Sequence, residues 1–334
     1  AVNQLRVLTR SARRVVSRLG QSDTQSRSPH REVARDSGAT IVARRSGVVD
    51  HVAENDEHAL EMARSVLAHL NRPAPTACDR QPVEEPLHDP AEIAGILPQD
   101  LRQPFDVREI IARIVDGSRF HEFKALYGTT LVCGFANLWG YPVGIIANNP
   151  LYKGGALDVD ACNKVTSFLV LCDSFNVPIV LLVDTPGFQI GTEAEKSGAP
   201  GKIMNFMNAM TLLTVPHLSV IIRKSYGRAY VCMGGGRHSD EIAAWPSAEI
   251  SFMSPEFATK IVHGVGYGEP GYEDKLKDIE KGADVWGLAS VYAAQAVIHP
   301  KDTRDYLIRT LEVHRMRLSG GVGQHLMRTW PTSY

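Results

Sequence analysis

Two glycine turns, each at the end of an apolar run, are the part of this chain whose residue types suggest chemistry. The first turn is DTPGF, ending at Phe188, and the second lies within VIIRKSYGRAYVCM, residues 220–233. Short β-branched runs that stop at glycine predict buried parallel strands, which would bring both turns to one edge of a sheet. Each turn leads into a stretch that can start a helix, and free N–H groups at a helix N-terminus stabilise an anion. The pattern indicates chemistry on an enolate or oxyanion, with few side chains acting as acids or bases.

Strand–helix–strand units would position these turns. Residues 158–176 form an amphipathic pattern that predicts a helix, and the strand PIVLLV follows at once. Residues 199–215 repeat the scheme before the strand HLSVIIR. Tandem units of this kind predict parallel α/β layers. We also predict two strands around a turn at Trp139–Pro142, a helix after an Asn55 cap, a short strand at 249–253, and a last helix near 303–316 capped by Asp302.

Composition excludes several classes of protein. The 334 residues carry a net charge of −1, which gives no reason to expect a nucleic acid or an acidic membrane as partner. Hydrophobic residues make up 44%, enough for a core, and no uninterrupted apolar run approaches the ~18 residues of a membrane span. The five cysteines form no CxxC pair, which favours a reducing compartment. His238 and His263 lack partners at metal spacing, so we expect no metal site.

The N-terminal third differs in composition from the rest. Residues 1–38 are rich in Arg and Ser, which predicts a basic, weakly ordered arm or a presequence of the mitochondrial type. We therefore expect a cytoplasmic protein, or one of the mitochondrial matrix if this stretch is a presequence in a eukaryote. The proline-rich, charged residues 76–104 predict a linker, and the units on its two sides are residues 40–75 and 105–325. Residues 326–334 are a polar tail.

Five ordered blocks of this sequence resemble one enzyme family. They are SGVVDHVAENDEHAL, GTTLVCGFANLWGYPVGIIANN, residues 155–188, residues 198–230 and AAWPSAEISFMSP. Together they resemble the carboxyltransferase (β) subunit of biotin-dependent acyl-CoA carboxylases, closest to the propionyl-CoA carboxylase type. The resemblance implies a crotonase-like α/β spiral of ββα units. It covers a biotin-side C-terminal domain, while residues 40–75 resemble only the last part of an N-terminal, acyl-CoA-binding domain.

The resemblance assigns the second turn to the biotin side. Gly227, Arg228 and Ala229 match the family's GGA turn, whose N–H groups face the biotin ureido oxygen. Arg228 stands where the propionyl-CoA carboxylase pattern has glycine, so a long cation lies beside the N–H groups and points either to a bound anion or to solvent. The alternative is a tight strand-to-helix junction that needs small residues for packing. We include Tyr226 among the biotin-side residues, and Val231 matches an acyl-pocket position where propionyl-type enzymes have Asp.

The remaining candidates surround the first turn. Gly187 and Phe188 either shape the biotin-side cavity or form a corner with the ring of Phe188 in the core. Gly154 and Gly155 lack the lysine spacing of a P-loop, and we interpret them as a close-approach loop that borders the binding site. The carboxylate pairs Asp240–Glu241 and Glu193/Glu195 offer general bases that the family reaction does not require.

The resemblance implies carboxyl transfer from N1-carboxybiotin to the α-carbon of a short-chain acyl-CoA, with propionyl-CoA as the expected substrate. Biotin would be carried by a partner α subunit with biotin carboxylase and carrier domains, and the chain would form dimers that assemble to a hexamer. Family active sites form between two subunits, so we expect little carboxylation from this chain alone. Two alternatives stay open: a non-catalytic oligomerising subunit or fragment, and an acyl-CoA decarboxylase or transcarboxylase, which stabilises the same enolate.

Overall fold

The apolar runs of the sequence form one mixed sheet. A computed structural model describes residues 7–9, 51–69, 80–236, 238–290 and 293–315. Eight strands lie in the order β10-β8-β7-β6-β5-β4-β3, with β9 paired to the end of β7. Their bounds are β3 His121–Phe123, β4 Leu131–Leu138, β5 Tyr141–Asn148, β6 Ile179–Thr185, β7 His217–Tyr226, β8 Glu241–Ala244, β9 Glu249–Ser251 and β10 Ala296–Val297.

Two types of strand pairing divide this sheet. Strands β3, β4 and β5 are antiparallel, and the turn between β4 and β5 places Trp139 at φ 55° and Gly140 at φ 76°. From β5 onward the pairs β5–β6, β6–β7, β7–β8 and β8–β10 are parallel. The predicted pair of adjacent parallel strands is therefore confirmed, and the ends of β6 and β7 lie at the same edge of the sheet.

Helices cover both faces of the parallel strands. Their bounds are α1 Asp56–His69, α2 Ile93–Ile96, α3 Val107–Ala112, α4 Val159–Ser174, α5 Thr192–Lys196, α6 Ala199–Thr211, α7 Gly227–Cys232, α8 Pro255–His263, α9 Tyr272–Ala283, α10 Val285–Ser290 and α11 Thr303–His314. The Asn55 side chain accepts from the N–H of His58 at 2.8 Å and caps α1 as predicted. Asp302 precedes α11, but its side chain makes no capping hydrogen bond.

The sheet separates two hydrophobic cores. On one face the helices α4 and α6 pack Phe168 and Phe206 against Phe135 and the odd-numbered residues of β6. On the other face Ile110 and Leu307 pack beside Trp245, whose indole N–H donates to Thr303 Oγ1 at 2.9 Å. Because β6 is buried on both faces, its sequence is a continuous apolar run without alternation.

The described part of the predicted linker packs against the unit that follows it. Ile93 is fully buried, and the N–H of Gln81 donates to Gly140 O at 2.8 Å. Within residues 1–38, the strand β1 Val7–Thr9 pairs in parallel with β2 His51–Ala53, so these three residues belong to a sheet. The other residues of that arm, residues 40–50 and 70–75 of the unit 40–75, residues 76–79 of the linker and the C-terminal tail lie outside the described residues. The division into domains stays a prediction.

Candidate functional site

The second glycine turn joins the longest strand to a short helix. Gly227 follows β7 directly and has φ 62°, a conformation that favours glycine, and α7 then runs to Cys232. Arg228 and Ala229 lie in the first turn of α7, where N–H groups have no intrahelical acceptor. Within the described residues neither amide has an acceptor outside α7. The Arg228 side chain is exposed and Ala229 is buried, so two neighbouring N–H groups and a cation lie at this end of the strand.

Strand β9 and the residue that follows it pack against this turn. A Cβ on Gly227 would lie 3.0 Å from Phe252 O, just after β9, which leaves little room for a side chain. The hydroxyl of Tyr226 donates to Glu249 Oε2 of β9 at 2.6 Å, and Tyr226 is buried. Burial, followed by this contact with Glu249, raises the pKa of Tyr226 above its ordinary value. Tyr226 therefore connects β7 to β9, and its assignment to the biotin side stays a prediction.

The first glycine turn differs from the sequence prediction. No helix starts at Phe188, because α5 begins only at Thr192. The N–H of Gly187 donates to Thr185 Oγ1 at 3.2 Å, and Gly187 O accepts from the N–H of Leu157 at 3.0 Å. The Phe188 ring packs partly buried against the core. The Gly187 amide thus donates within its own turn. The prediction of a free N–H group at this position was wrong.

A cavity of about 110 Å³ lies beside the first turn. It is lined by Leu157, Asp158, Val159, Asp160, Cys162, Gln189, Glu193, Ala194, Ser197, Ala199 and Ile203. Residues 227–229 and Val231 do not line it, and Val231 is half-buried on α7. Burial raises the pKa of the Cys162 thiol, and the nearby Cys232 of α7 raises it further. The cavity is therefore near α7 through Cys162 and Cys232, and the second turn is not part of its lining.

A lysine bridges two walls of this cavity. Lys153 Nζ donates to Asp158 Oδ2 at 2.8 Å and to Gln189 Oε1 at 3.0 Å. Lys153 begins the tight turn 153–155 and has φ 50°, which is uncommon for a residue with a side chain. The turn is held to β5, because Asn148 Nδ2 donates to Gly155 O at 3.3 Å.

The two glycines of that turn differ in their surroundings. Gly155 has φ 83°, and a Cβ there would lie 2.5 Å from Asp184 O. Gly154 has φ 61°, and a Cβ there would meet nothing within 4 Å. The predicted close approach is confirmed at Gly155. We expect Gly155→Ala to lower the free energy of unfolding by about 2–3 kcal/mol, from backbone strain and a clash, and Gly154→Ala by about 1 kcal/mol, from strain alone. Urea denaturation of both variants measures this, and equal losses would contradict the assignment.

Three charged or polar residues at the strand ends escaped the sequence analysis. Asp184 at the end of β6 forms a buried ion pair with Arg223 of β7, with 2.7 Å between Asp184 Oδ2 and Arg223 Nη2. Asn148 at the end of β5 accepts from the N–H of Asp184 at 3.1 Å. A signal was present, because charges inside apolar runs such as VLLVDT and VIIRKSY need a partner when buried. The sequence does not state which partner.

One carboxylate of each predicted pair has a partner within the chain. Asp240 Oδ2 accepts from the N–H of His217 at 3.0 Å, and Glu193 pairs with Lys196 on the surface. In the described part of the chain, no three His, Cys, Asp or Glu side chains are grouped to hold a metal ion. In the same part, no helix has both the length and the apolarity to cross a bilayer.

Comparison with known proteins defines the class to which this fold and these turns belong. The Carboxyl transferase domain family matches residues 31–319. The methylcrotonoyl-CoA carboxylase beta chain of Dictyostelium discoideum is 40% identical over 71% of this chain and 40% of its own length. A probable biotin-dependent acyl-coenzyme A carboxylase beta2 subunit of Mycobacterium tuberculosis is 36% identical over 81% of this chain and 53% of its own. The chain therefore belongs to the carboxyl transferase family.

A solved structure extends the likeness to the fold. Transcarboxylase 12S, described as a hexamer assembly with methylmalonyl-coenzyme A bound, superposes with a TM-score of 0.83 at 30% identity, covering 94% of this chain and 61% of that one. The crotonase-like α/β fold and the resemblance to β subunits of biotin-dependent acyl-CoA carboxylases are confirmed, whereas the propionyl type in particular is not. The chain spans about half the length of the curated relatives it matches.

Proposed function

We propose that this chain supplies the biotin side of a carboxyltransferase that moves a carboxyl group between biotin and the α-carbon of an acyl-CoA. One observation carries the proposal: two neighbouring amides, of Arg228 and Ala229, lie at the end of β7 without an acceptor among the described residues. Membership of the carboxyl transferase family supports this role for them. The donor set fits a urea oxygen, because two adjacent N–H groups match one oxygen that accepts two hydrogen bonds.

The residues act by holding negative charge. Biotin, when bound, supplies the carboxyl group and a ureido oxygen that becomes negative as the group leaves. The N–H groups of Arg228 and Ala229 donate to that oxygen, and each such donor contributes a few kcal/mol when charge develops. The Gly227 turn aims them, and the exposed Arg228 guanidinium adds a positive charge beside the oxygen. Such a site needs neither a triad nor a general base from the chain.

The acyl group is the finer part of the proposal. The relatives are described as enzymes of methylcrotonoyl-CoA and other acyl-CoAs, and transcarboxylase 12S holds methylmalonyl-coenzyme A. We take propionyl-CoA as the first substrate to test. Val231 departs from the propionyl-type pattern, which has Asp at that position, so other acyl-CoAs are tested beside propionyl-CoA.

The assembly is part of the same proposal. Biotin would arrive on a partner α subunit that carries biotin carboxylase and carrier domains, and copies of this chain would form dimers and then a hexamer. The hexamer assembly described for transcarboxylase 12S supports this arrangement. An interface between copies would also enclose residues 227–229, which the cavity of about 110 Å³ does not include.

A transcarboxylase is the second candidate, favoured by the TM-score of 0.83 with transcarboxylase 12S. The same amides would serve it, because the oxygen carries charge in either direction of transfer. The discriminating assay gives the full chain and a biotinylated carrier one of two donors: N1-carboxybiotin, with propionyl-CoA as the acceptor, or methylmalonyl-CoA, with the uncarboxylated carrier as the acceptor. Product in the first assay alone supports the carboxylase, and product in both supports the transcarboxylase. Absence of biotin binding by calorimetry, together with no product, contradicts the proposed function.

A further inference from the structure

One carboxylate joins the ends of the two central strands. Asp184 Oδ2 accepts from Arg223 Nε at 3.1 Å and from Arg223 Nη2 at 2.7 Å, and Asp184 Oδ1 accepts from the N–H of Lys224 at 3.1 Å. The side chains of Asp184 and Arg223 are 2% and 1% exposed. A buried pair of this kind holds a defined geometry, because any movement would leave a charge without a partner in a medium of low dielectric constant.

These contacts lie at a register shift in the pairing of β6 with β7. Val183 pairs with Ile221, but Thr185 pairs with Ser225, so β7 has two extra residues opposite Asp184. An irregularity of this type breaks the ladder and changes the direction of the strand. The Asp184 carboxylate replaces the missing ladder acceptor for the N–H of Lys224. It therefore joins β6 to β7 at the point where the register of their pairing shifts.

The backbone of the same residue fixes its own position. The N–H of Asp184 donates to Asn148 Oδ1 at 3.1 Å, and the carbonyl of Asp184 lies so close to Gly155 that a Cβ there would be 2.5 Å away. Arg223 is held from the other side, because its Nη1 donates to Gln103 O at 3.1 Å and its guanidinium lies 4.6 Å from the centre of the Phe105 ring. The carboxylate is thus anchored at both ends of the bridge.

This irregularity lies directly before the amides of the proposed site. Ser225 and Tyr226 are the last residues of β7, and Gly227 then starts the turn that presents Arg228 and Ala229. We propose that Asp184 is a positioning residue whose bridge to Arg223 and Lys224 sets the direction of these two amides. The inference rests on the proposed function for its catalytic consequence, but the geometric part stands on the strand irregularity alone.

A second buried ion pair provides a matched control. Asp116 Oδ1 lies 2.8 Å from Arg304 Nη2, with side chains 1% and 5% exposed, and the Asp116 carboxylate accepts from the N–H groups of Trp139 and Gly140. Like the Asp184 bridge, this contact joins a buried aspartate to a buried arginine, and the aspartate also accepts from backbone N–H groups. It lies at the β4–β5 turn, where β5 begins, whereas Asp184 lies near the residue where β5 ends.

The test compares Asp184→Asn with Asp116→Asn in the full chain. Hydrogen–deuterium exchange measured by mass spectrometry reports the backbone of residues 225–231 without any ligand. We expect at least a tenfold faster exchange there in Asp184→Asn and less than a twofold change in Asp116→Asn, with comparable shifts of the thermal unfolding midpoint. Equal exchange of residues 225–231 in both variants overturns the proposal. If Asp184→Asn does not fold, Arg223→Lys, which keeps the charge but loses the bidentate contact, is measured in its place.

Activity provides the second readout. With the biotinylated partner, we expect Asp184→Asn to lower kcat for carboxyl transfer at least tenfold while KM for acyl-CoA changes less than twofold, and Asp116→Asn to keep kcat within twofold. Equal kcat losses in the two variants overturn the positioning role. If the wild-type chain transfers no carboxyl group and binds no biotin, the proposed function fails, and the exchange measurement still decides the geometric inference.

Discussion

Replacing Arg228 by proline is expected to lower kcat for carboxyl transfer by about 10²–10³-fold, the usual cost of removing one donor to a developing oxyanion. Proline is tolerated in the first turn of a helix because the N–H it lacks has no intrahelical partner there. Arg228 occupies such a position in α7. The substitution therefore removes the amide donor, and we expect helix α7 to be retained.

The matched control is Arg228→Ala. It removes the exposed guanidinium but keeps the N–H, so its effect on kcat should stay within about tenfold if the amide is the main donor. Steady-state kinetics of both variants with the biotinylated partner, and circular dichroism to verify folding, complete the comparison. Equal activity of the proline and alanine variants would mean that the N–H of Arg228 takes no part in the reaction.

Acidification from pH 7 to pH 4 is expected to destabilise the chain through three histidines that pack where β2 and α1 meet β3. His51 Nε2 and His121 Nε2 are 3.4 Å apart, and the His69 ring stacks on His121 with centroids 6.4 Å apart. Burial lowers the pKa of His51 to about 3, helped by His121 and Lys124, and burial followed by the charge of His69 lowers the pKa of His121 to about 4. Burial also lowers the pKa of His69.

The direction follows from proton linkage. The folded chain holds these rings neutral, whereas the unfolded chain protonates them below about pH 6.5, so the stability they contribute is present above that pH and is lost as the pH falls towards 3–4. His51 alone should cost about 3 kcal/mol at pH 4. Between pH 7 and pH 4 the free energy of unfolding falls in both proteins, and we expect the fall in His51→Phe to be smaller than in the wild type by about 3 kcal/mol. Urea denaturation at the two pH values measures this difference.

The exposed His88 supplies the control substitution, His88→Phe, which should leave the pH dependence of the wild type unchanged. A curve for His51→Phe that runs parallel to the wild type from pH 7 to pH 4 would show that the cluster does not hold its rings neutral. The experiment also tests whether the unit 40–75 packs against the unit 105–325, because His51 and His69 lie before the predicted linker and His121 lies after it.

The regular parts of the fold could be predicted because their signals are local. The apolar runs of β6 and β7, the amphipathic pattern of α4 and the Asn55 cap depend on neighbouring residues, and each is confirmed. The parallel arrangement followed from the strand–helix–strand order and the right-handed crossover rule. Strand β8, of four residues, was not predicted, since so short a run has no periodicity to detect.

The site was less predictable because its geometry depends on distant residues. The turn at Gly227 is in its predicted place, but the amide of Gly187 is used within its own turn by Thr185, and Tyr226 is bound to Glu249. Neither partner follows from local pattern, since a side-chain hydrogen bond formed on folding is set by tertiary packing. The bridge from Asp184 to Arg223 spans 39 positions of the chain, and only the irregular register of β6 on β7 brings the two side chains together.

The role of the two amides can be tested by a crystal structure of the full chain with bound biotin. We expect the ureido oxygen at about 2.7–3.1 Å from the backbone nitrogens of both Arg228 and Ala229, at the carboxyl end of β7. Biotin bound with its ureido oxygen on other donors, or those two N–H groups turned away from it, would show that they do not hold the developing charge.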